Sequence, residues 1–388
     1  MKTIFRNVGF AALLAVFMAA GSTAVSAQDQ DPCEDFDGMN ALYEKVTANY
    51  GKIATLEAAV EAGKQYLEKY GNCESAKDFV AWLKPQMPQW EKDVAQYKID
   101  QKLRPLFQKY DAAVGGQNKN WAEAFAAAKE IQAIAPNDPR ILNVIIPLGQ
   151  AALFEAAPPK KNNDFNSDSL MMADKALGML RGGTPATKKN KTGQEVFGVF
   201  EFEDTKDQVI ADLIYAKAYV KFYGQGDKKA GLADYFELTQ LPAGKTNPLV
   251  YGAIGDYYFE EVQKLAEEVK AMIVARNALT TDEEKVAKDA EIAAKEGLLK
   301  AYAERGVDAY ARAYKNTKAD AASKAYREGL YNNVKTLYNV RFDKETGVDE
   351  FIASTIQKPM PNPTSEVTPV VVEPPTATET STDTASGN

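Results

Sequence analysis

Apolar residues recur at steps of three and four along most of this chain, the spacing of a helix that turns one face inward. Leu56, Ala59, Val60, Gly63, Leu67 and Tyr70 form one such stripe, and Val262, Leu265, Val269, Met272 and Ile273 form another. Ile210, Leu213, Ile214 and Ala218 form a third, interrupted by Lys217 and Lys221. This periodicity holds from Asp35 to about Phe342, and the alternating pattern of strands is scarce. Breaks are predicted at Gly71-Asn72, Pro85 to Pro88, Gly115-Gly116, Pro136 to Pro139, Pro158-Pro159, Gly182-Gly183, Gly224 to Gly226 and Pro242 to Pro248. Glycine ends a helix by relaxing the backbone, and proline by removing a donor and clashing with the preceding turn. Thr281 with Glu284 three residues on is a capping box. The segments from Pro248 to Ala278 and from Asp282 to Tyr314 read as long helices. The predicted fold class is all-α, with antiparallel helical hairpins stacked in an α-solenoid.

Three segments depart from the helical pattern. The first, residues 1–27, reads as a secretory signal peptide: Lys2 and Arg6, an apolar run from Val8 to Ala20, then the small-residue box Val25-Ser26-Ala27. Its apolar core is shorter than the roughly 20 residues a membrane span requires, which disfavours the alternative of an uncleaved anchor. The second is the run Val196-Phe197-Gly198-Val199-Phe200-Glu201-Phe202. It predicts a small β-like insertion near 194–203, either folded onto the helices or exposed as an aromatic contact loop through Phe197, Phe200 and Phe202. The third, 358–388, is rich in Pro, Thr, Ser and acidic residues, and no aromatic residue follows Phe351. Such a segment buries too little apolar surface to offset ordering entropy, so a disordered tail is predicted. The domain reading is therefore 1–27 signal, 28–157 N-terminal helical region, 158–205 irregular insertion, 206–357 C-terminal long-helix region, and 358–388 tail.

Trp121, Ala124 and Pro136 carry a resemblance. An aromatic residue, a small residue three on, and a Pro-Asn turn twelve after that resemble the second helix of a tetratricopeptide repeat. Leu56 to Gly71 is a weaker match, with Ala59 in the small position and Leu67 in the late apolar one. The resemblance implies a right-handed superhelix of helix pairs whose concave face holds peptides or proteins. The intervals between matching helix ends depart from that family's unit of about 34 residues.

The candidate chemistry is thin. The chain contains no histidine. That argues against histidine bases, Ser–His and Cys–His nucleophile pairs and most zinc sites, so no catalytic residue, metal or cofactor is assigned. Asp35, Asp37, Gly38 and Glu44 approach a calcium-loop spacing, but Cys33 stands at the first ligand place, and carboxylates here suit a helix first turn. Two cysteines, Cys33 and Cys73, flank a predicted hairpin, so a disulfide between them is expected, two free buried thiols being the alternative. The net charge is −8, becoming −10 without the two basic residues of the signal, which disfavours nucleic acid and anionic membranes as partners. Thirteen tyrosines fall between Tyr215 and Tyr338. Helical spacing makes most of them packing residues, while some could line a groove, with Tyr251 and Tyr258 the candidate contacts. The function this supports is an exported protein- or peptide-binding or scaffolding module. A self-associating surface protein and a glycan-binding or carboxylate-dependent carbohydrate-active protein are the alternatives.

Overall fold

Helix starts are written into the sequence as short polar side chains, and the backbone uses them. Asp35, Asn120, Thr205, Asp227, Asn247 and Thr281 each accept a hydrogen bond from a backbone N–H of the helix turn they precede. Each satisfies a donor the helix itself leaves open. The computed structural model describes residues 31–183, 187–189, 193, 195–197 and 204–372. The chain divides into two compact units, Met1–Gln101 and Lys102–Asn388. The proposed signal segment lies outside the described residues.

In the first unit, α1 (Phe36–Asn49) and α2 (Leu56–Tyr70) pack together and α3 (Lys77–Val114) begins. Met39, Val46, Ala59, Tyr66, Tyr70 and Leu83 are among its buried core. Cys33, just before α1, is bonded to Cys73, just after α2, with their Cα atoms 5.3 Å apart. A bonded pair of this kind belongs to an oxidising compartment. Asp35 receives hydrogen bonds from Gly38 N at 3.0 Å and Tyr70 Oη at 2.7 Å, and pairs with Lys69 at 2.6 Å. The Lys69 ammonium, with the Tyr70 hydroxyl and Gly38 N–H, holds the Asp35 carboxyl down from 3.8 to about 2. These partners use Asp35 as a cap, and no group of three or more metal-type side chains gathers among the described residues.

The predicted break from Pro85 to Pro88 is corrected: α3 runs unbroken through both prolines. Pro85 and Pro88 are exposed, as are Ala81 and Lys84, whose carbonyls would have received the missing N–H groups. Water can serve those carbonyls, while Leu83, Met87 and Trp90 on the opposite side keep the helix seated.

The second unit holds α4 (Trp121–Ile134), α5 (Leu142–Ala156), α6 (Asn166–Arg181), α7 (Lys206–Tyr219), α8 (Lys228–Gln240), the single turn α9 (Pro242–Lys245), α10 (Pro248–Asn277), α11 (Asp282–Asn316), α12 (Lys324–Phe342) and α13 (Val348–Thr355). Segment 158–205, read as irregular, is corrected, because α6 occupies much of it. Met172, Ala173, Ala176, Leu177 and Leu180 are its buried stripe. Gly149 of α5 lets α6 approach, since a Cβ there would sit 2.9 Å from the Ala173 backbone. Ser169 Oγ accepts from Ala152 N at 2.9 Å and donates to Leu148 O, pinning the two helices. Two three-residue strands, β1 (Thr187–Lys189) and β2 (Glu195–Phe197), pair antiparallel. Beyond them, no β-like run over 194–203 is seen, because 198–203 lies outside the described residues.

α7 packs on α5, α6 and α8, with Val209, Leu213, Ile214 and Ala218 buried. α10 and α11 make the largest helix pair, and α12 packs against α11. Buried Asp308 of α11 is bonded by Arg312 one turn on, at 2.7 and 3.1 Å. The tail boundary at 358 is corrected. Residues 358–372 run against α11, where Arg305 donates to the carbonyls of Asn362 and Glu366 at 3.0 and 2.9 Å. Val370 N donates to Gly297 O at 3.0 Å, and any Cβ on Gly297 would collide with the Val370 carbonyl. Pro363 and Val367 are buried. Backbone bonds and two apolar anchors thus order a segment whose composition alone predicts none. Residues 373–388 lie outside the described residues. Among those described, no helix is long and apolar enough to cross a membrane.

Candidate functional site

The residues singled out from the sequence separate into packing positions and surface. Ala59 and Ala124 are fully buried, and Leu67 packs half-buried on the first unit's core. Trp121 is buried, and its indole N–H donates to Glu155 Oε1 of α5 at 2.8 Å. Pro136 sits exposed in the turn after α4. Tyr251 and Tyr258, taken as partner contacts, are corrected to core residues at 5% and 1% exposure. Tyr251 donates to Lys245 O at 2.9 Å, and Tyr258 packs edge-on against Tyr257 and Tyr302. They lie on the inner face of α10, where a large ring is worth most as buried area. Phe197 ends β2, its side chain not among those described, and Phe200 and Phe202 lie wholly outside the described residues.

A different set of tyrosines converges. Tyr215 and Tyr219 project from one face of α7, four residues apart. The helix then widens into a π-turn, Val220–Gly224, closed by Gln225 N donating to Val220 O at 2.8 Å. Such an extra residue in a helix re-aims the side chains beyond it, and π-bulges are enriched at functional sites. Here it presents Tyr223. Gly231 of α8 makes room for the turn, since its Cβ would lie 2.8 Å from Phe222 Cβ. Tyr235 comes from α8, Tyr310 from α11 and Tyr326 from α12. Gly255 of α10 lets the Tyr310 ring lie against that helix, because a Cβ there would stand 2.6 Å from it.

These rings surround a cavity of about 450 Å³ with Asp256 of α10 in its wall. Tyr310 Oη donates to Asp256 Oδ1 at 2.7 Å, and Tyr223 Oη donates to Oδ2 at 3.1 Å. Tyr235 and Tyr310 are buried at 1% and 2% exposure and form the floor; Tyr223, Tyr326 and Leu249 are exposed and form the rim. Tyr219 and Tyr223 lie with ring centroids 4.9 Å apart. Gly252 also lines the cavity, beside the rim, where a Cβ would meet the Tyr326 hydroxyl at 2.7 Å.

Although the Tyr223 and Tyr326 side chains reach the rim, loss of water around the hydroxyls, with the Asp256 charge added, pushes those of Tyr223 and Tyr310 well above the ordinary phenol range. The same causes raise Tyr326 to about 12. All three therefore stay protonated at neutral pH and can donate. Among the described residues, Asp256 has no basic side chain within ion-pairing distance, its hydrogen-bond partners being the two tyrosine hydroxyls. That sets it apart from neighbouring acids: Glu260 pairs with Lys228, Asp234 with Lys221 at 2.7 Å, and Glu261 with Lys264 at 2.6 Å.

A larger hollow of about 570 Å³ lies between Tyr314, Lys324, Arg327 and Tyr331. Its charges are already engaged. Arg327 donates to Tyr314 O and Thr317 O at 2.6 and 2.9 Å and stacks on the Tyr314 ring, and Asp320 caps Ser323 N at 2.8 Å. Of these two hollows, the tyrosine cavity is the one whose polar group has capacity left.

The tyrosine crowding in the C-terminal half was legible in the sequence, while Asp256 was one acid among 54. The only sequence signal for it was its place in Gly255-Asp256-Tyr257-Tyr258, beside a glycine that a large ring needs. No protein-family model, no curated protein and no solved structure matches this chain.

Proposed function

We propose that this chain is an exported, non-catalytic binding protein, and that the cavity around Asp256 is where it holds its ligand. One observation carries this reading: a half-open hollow with a buried tyrosine floor, an exposed tyrosine rim and a carboxylate that has no cationic partner among the described residues. Concave, ring-lined hollows with few polar groups are the common form of a ligand seat. Binding rather than catalysis is favoured by a chain without histidine, whose two cysteines are bonded to each other.

Export is supported by the signal-like segment 1–27 together with the Cys33–Cys73 bond. A polypeptide partner is supported by the tetratricopeptide-like spacing of Trp121, Ala124 and Pro136, since that family holds peptides against stacked helix pairs. The helical hairpins of the second unit are compatible with such stacking.

The test is a pull-down from an extract of exported proteins, run in parallel with wild-type protein and Gly252→Phe. The added ring enters the cavity beside the Tyr326 hydroxyl, the far end of a flexible side chain that can shift, so the fold is expected to survive. Recovery of a partner by the wild type and its loss with the variant, at equal far-ultraviolet circular dichroism, is the expected outcome. Equal recovery by both proteins would remove the cavity from the function.

A further inference from the structure

Resting on the cavity as the ligand seat, we infer that the group it receives is an alkylammonium, a positively charged nitrogen carried on an apolar stem. Three features of the site converge on that chemistry. The first is an uncompensated charge. Asp256 is half-buried, and a carboxylate removed from water without a counterion is costly unless a cation arrives. The Tyr223 and Tyr310 hydroxyls stabilise it by donation but bring no positive charge.

The second feature is the wall. Aromatic faces carry negative potential and attract cations lying within about 6 Å of the ring centre. Tyr215, Tyr219, Tyr223, Tyr235, Tyr310 and Tyr326 supply such rings, and among the described residues no lysine or arginine lines the cavity. Rings and carboxylate thus favour the same sign of charge.

The third feature distinguishes a cation from a sugar, which also stacks on tyrosine. A sugar needs several donors and acceptors in fixed directions. The Tyr223 and Tyr310 hydroxyl protons are already committed to Asp256, and although Asn333 and the other tyrosine hydroxyls keep donors, none of them neutralises the carboxylate, so its charge favours a cation over a neutral sugar. An ammonium needs no donor from the protein. It needs a negative centre and a ring enclosure, with an apolar margin for its stem, which Leu249, Gly252 and Ala253 provide. Those residues leave room for methylene groups beside the rim, and 450 Å³ exceeds the volume of the head group alone.

The same chemistry has two sources, a lysine side chain on a polypeptide and a free small ammonium compound. Both can be tested on the full chain by isothermal titration calorimetry. The probes are choline, its uncharged isostere 3,3-dimethyl-1-butanol, Nα-acetyl-lysine amide, and a neutral disaccharide. Binding of choline or the lysine amide, at least about tenfold tighter than the uncharged isostere, is expected, a discrimination of the size charge-assisted contacts give. Asp256→Asn should erase that preference, and Tyr223→Phe, which keeps the ring, should weaken it less. Preference for the lysine amide assigns a polypeptide source, and preference for choline a free ammonium. If choline and its isostere bind equally, or only the disaccharide binds, and Gly252→Phe abolishes that binding, the cavity remains the ligand seat and the cation assignment falls. If no probe binds, the assignment also falls, while the pull-down still decides the role of the cavity. Should Asp256→Asn fail to fold, the choline-to-isostere ratio on wild-type protein decides alone.

Discussion

Asp35 shows how much one side chain can hold together. It caps α1, pairs with Lys69 and accepts from Tyr70, so the start of one helix is tied to the end of the next beside the disulfide. Its folded pKa, about 2, lies below the ordinary 3.8. A depressed carboxylate contributes stability that is present above the ordinary value and is lost as pH falls through the folded one. Wild type is therefore expected to be more stable than Asp35→Asn at pH 5 to 7, with the gap narrowing between about pH 4 and pH 2. Denaturant unfolding at stepped pH checks this; a gap independent of pH would show that the cap and not the charge matters. At the same scale, Asp256 is the converse case. Two hydroxyl donors, and no paired base among the described residues, leave it with capacity for a ligand.

At the scale of elements, the instructive departure is α3. Proline in a helix interior removes a hydrogen bond and crowds the preceding turn, at a cost of roughly 3 kcal/mol in a regular exposed helix. Pro85 and Pro88 are nevertheless accommodated because they face water, and the buried face through Leu83, Met87 and Trp90 decides the helix. Replacing Pro85 by Ala restores one donor without touching the core. The variant is expected to gain about 1–3 kcal/mol in denaturant unfolding, and a loss of stability would mean the proline has a packing role. α6 makes the complementary point: apolar residues lie outside its buried stripe as well, Met171 among them, so the face it buries is selected by Gly149 and Ser169 bringing it onto α5. The π-turn after α7 is likewise decided by contact, because Gly231 admits Phe222 and Tyr223 turns to Asp256.

For the whole molecule, the C-terminal segment carries the largest correction. Its composition is that of a disordered tail, yet 358–372 is fixed by Arg305, by Gly297 and by the burial of Pro363 and Val367. Deleting 358–388 uncovers that seat on α11. A lower melting temperature is expected, and Arg305→Ala should reproduce part of the loss while making the segment more sensitive to limited proteolysis. Unchanged melting on deletion would mean that the segment adds nothing to stability. The sequence by itself determined the helical class, most helix limits, the Thr281 capping box and the cysteine pair, because these depend on local periodicity, backbone restriction and neighbours close along the chain. Only tertiary structure decided which tyrosines are core and which enclose a cavity, since helical spacing is the same for both. It also decided that Asp256, unlike Asp234, Glu260 and Glu261, has no basic partner among the described residues, because charge pairing depends on which distant helices meet.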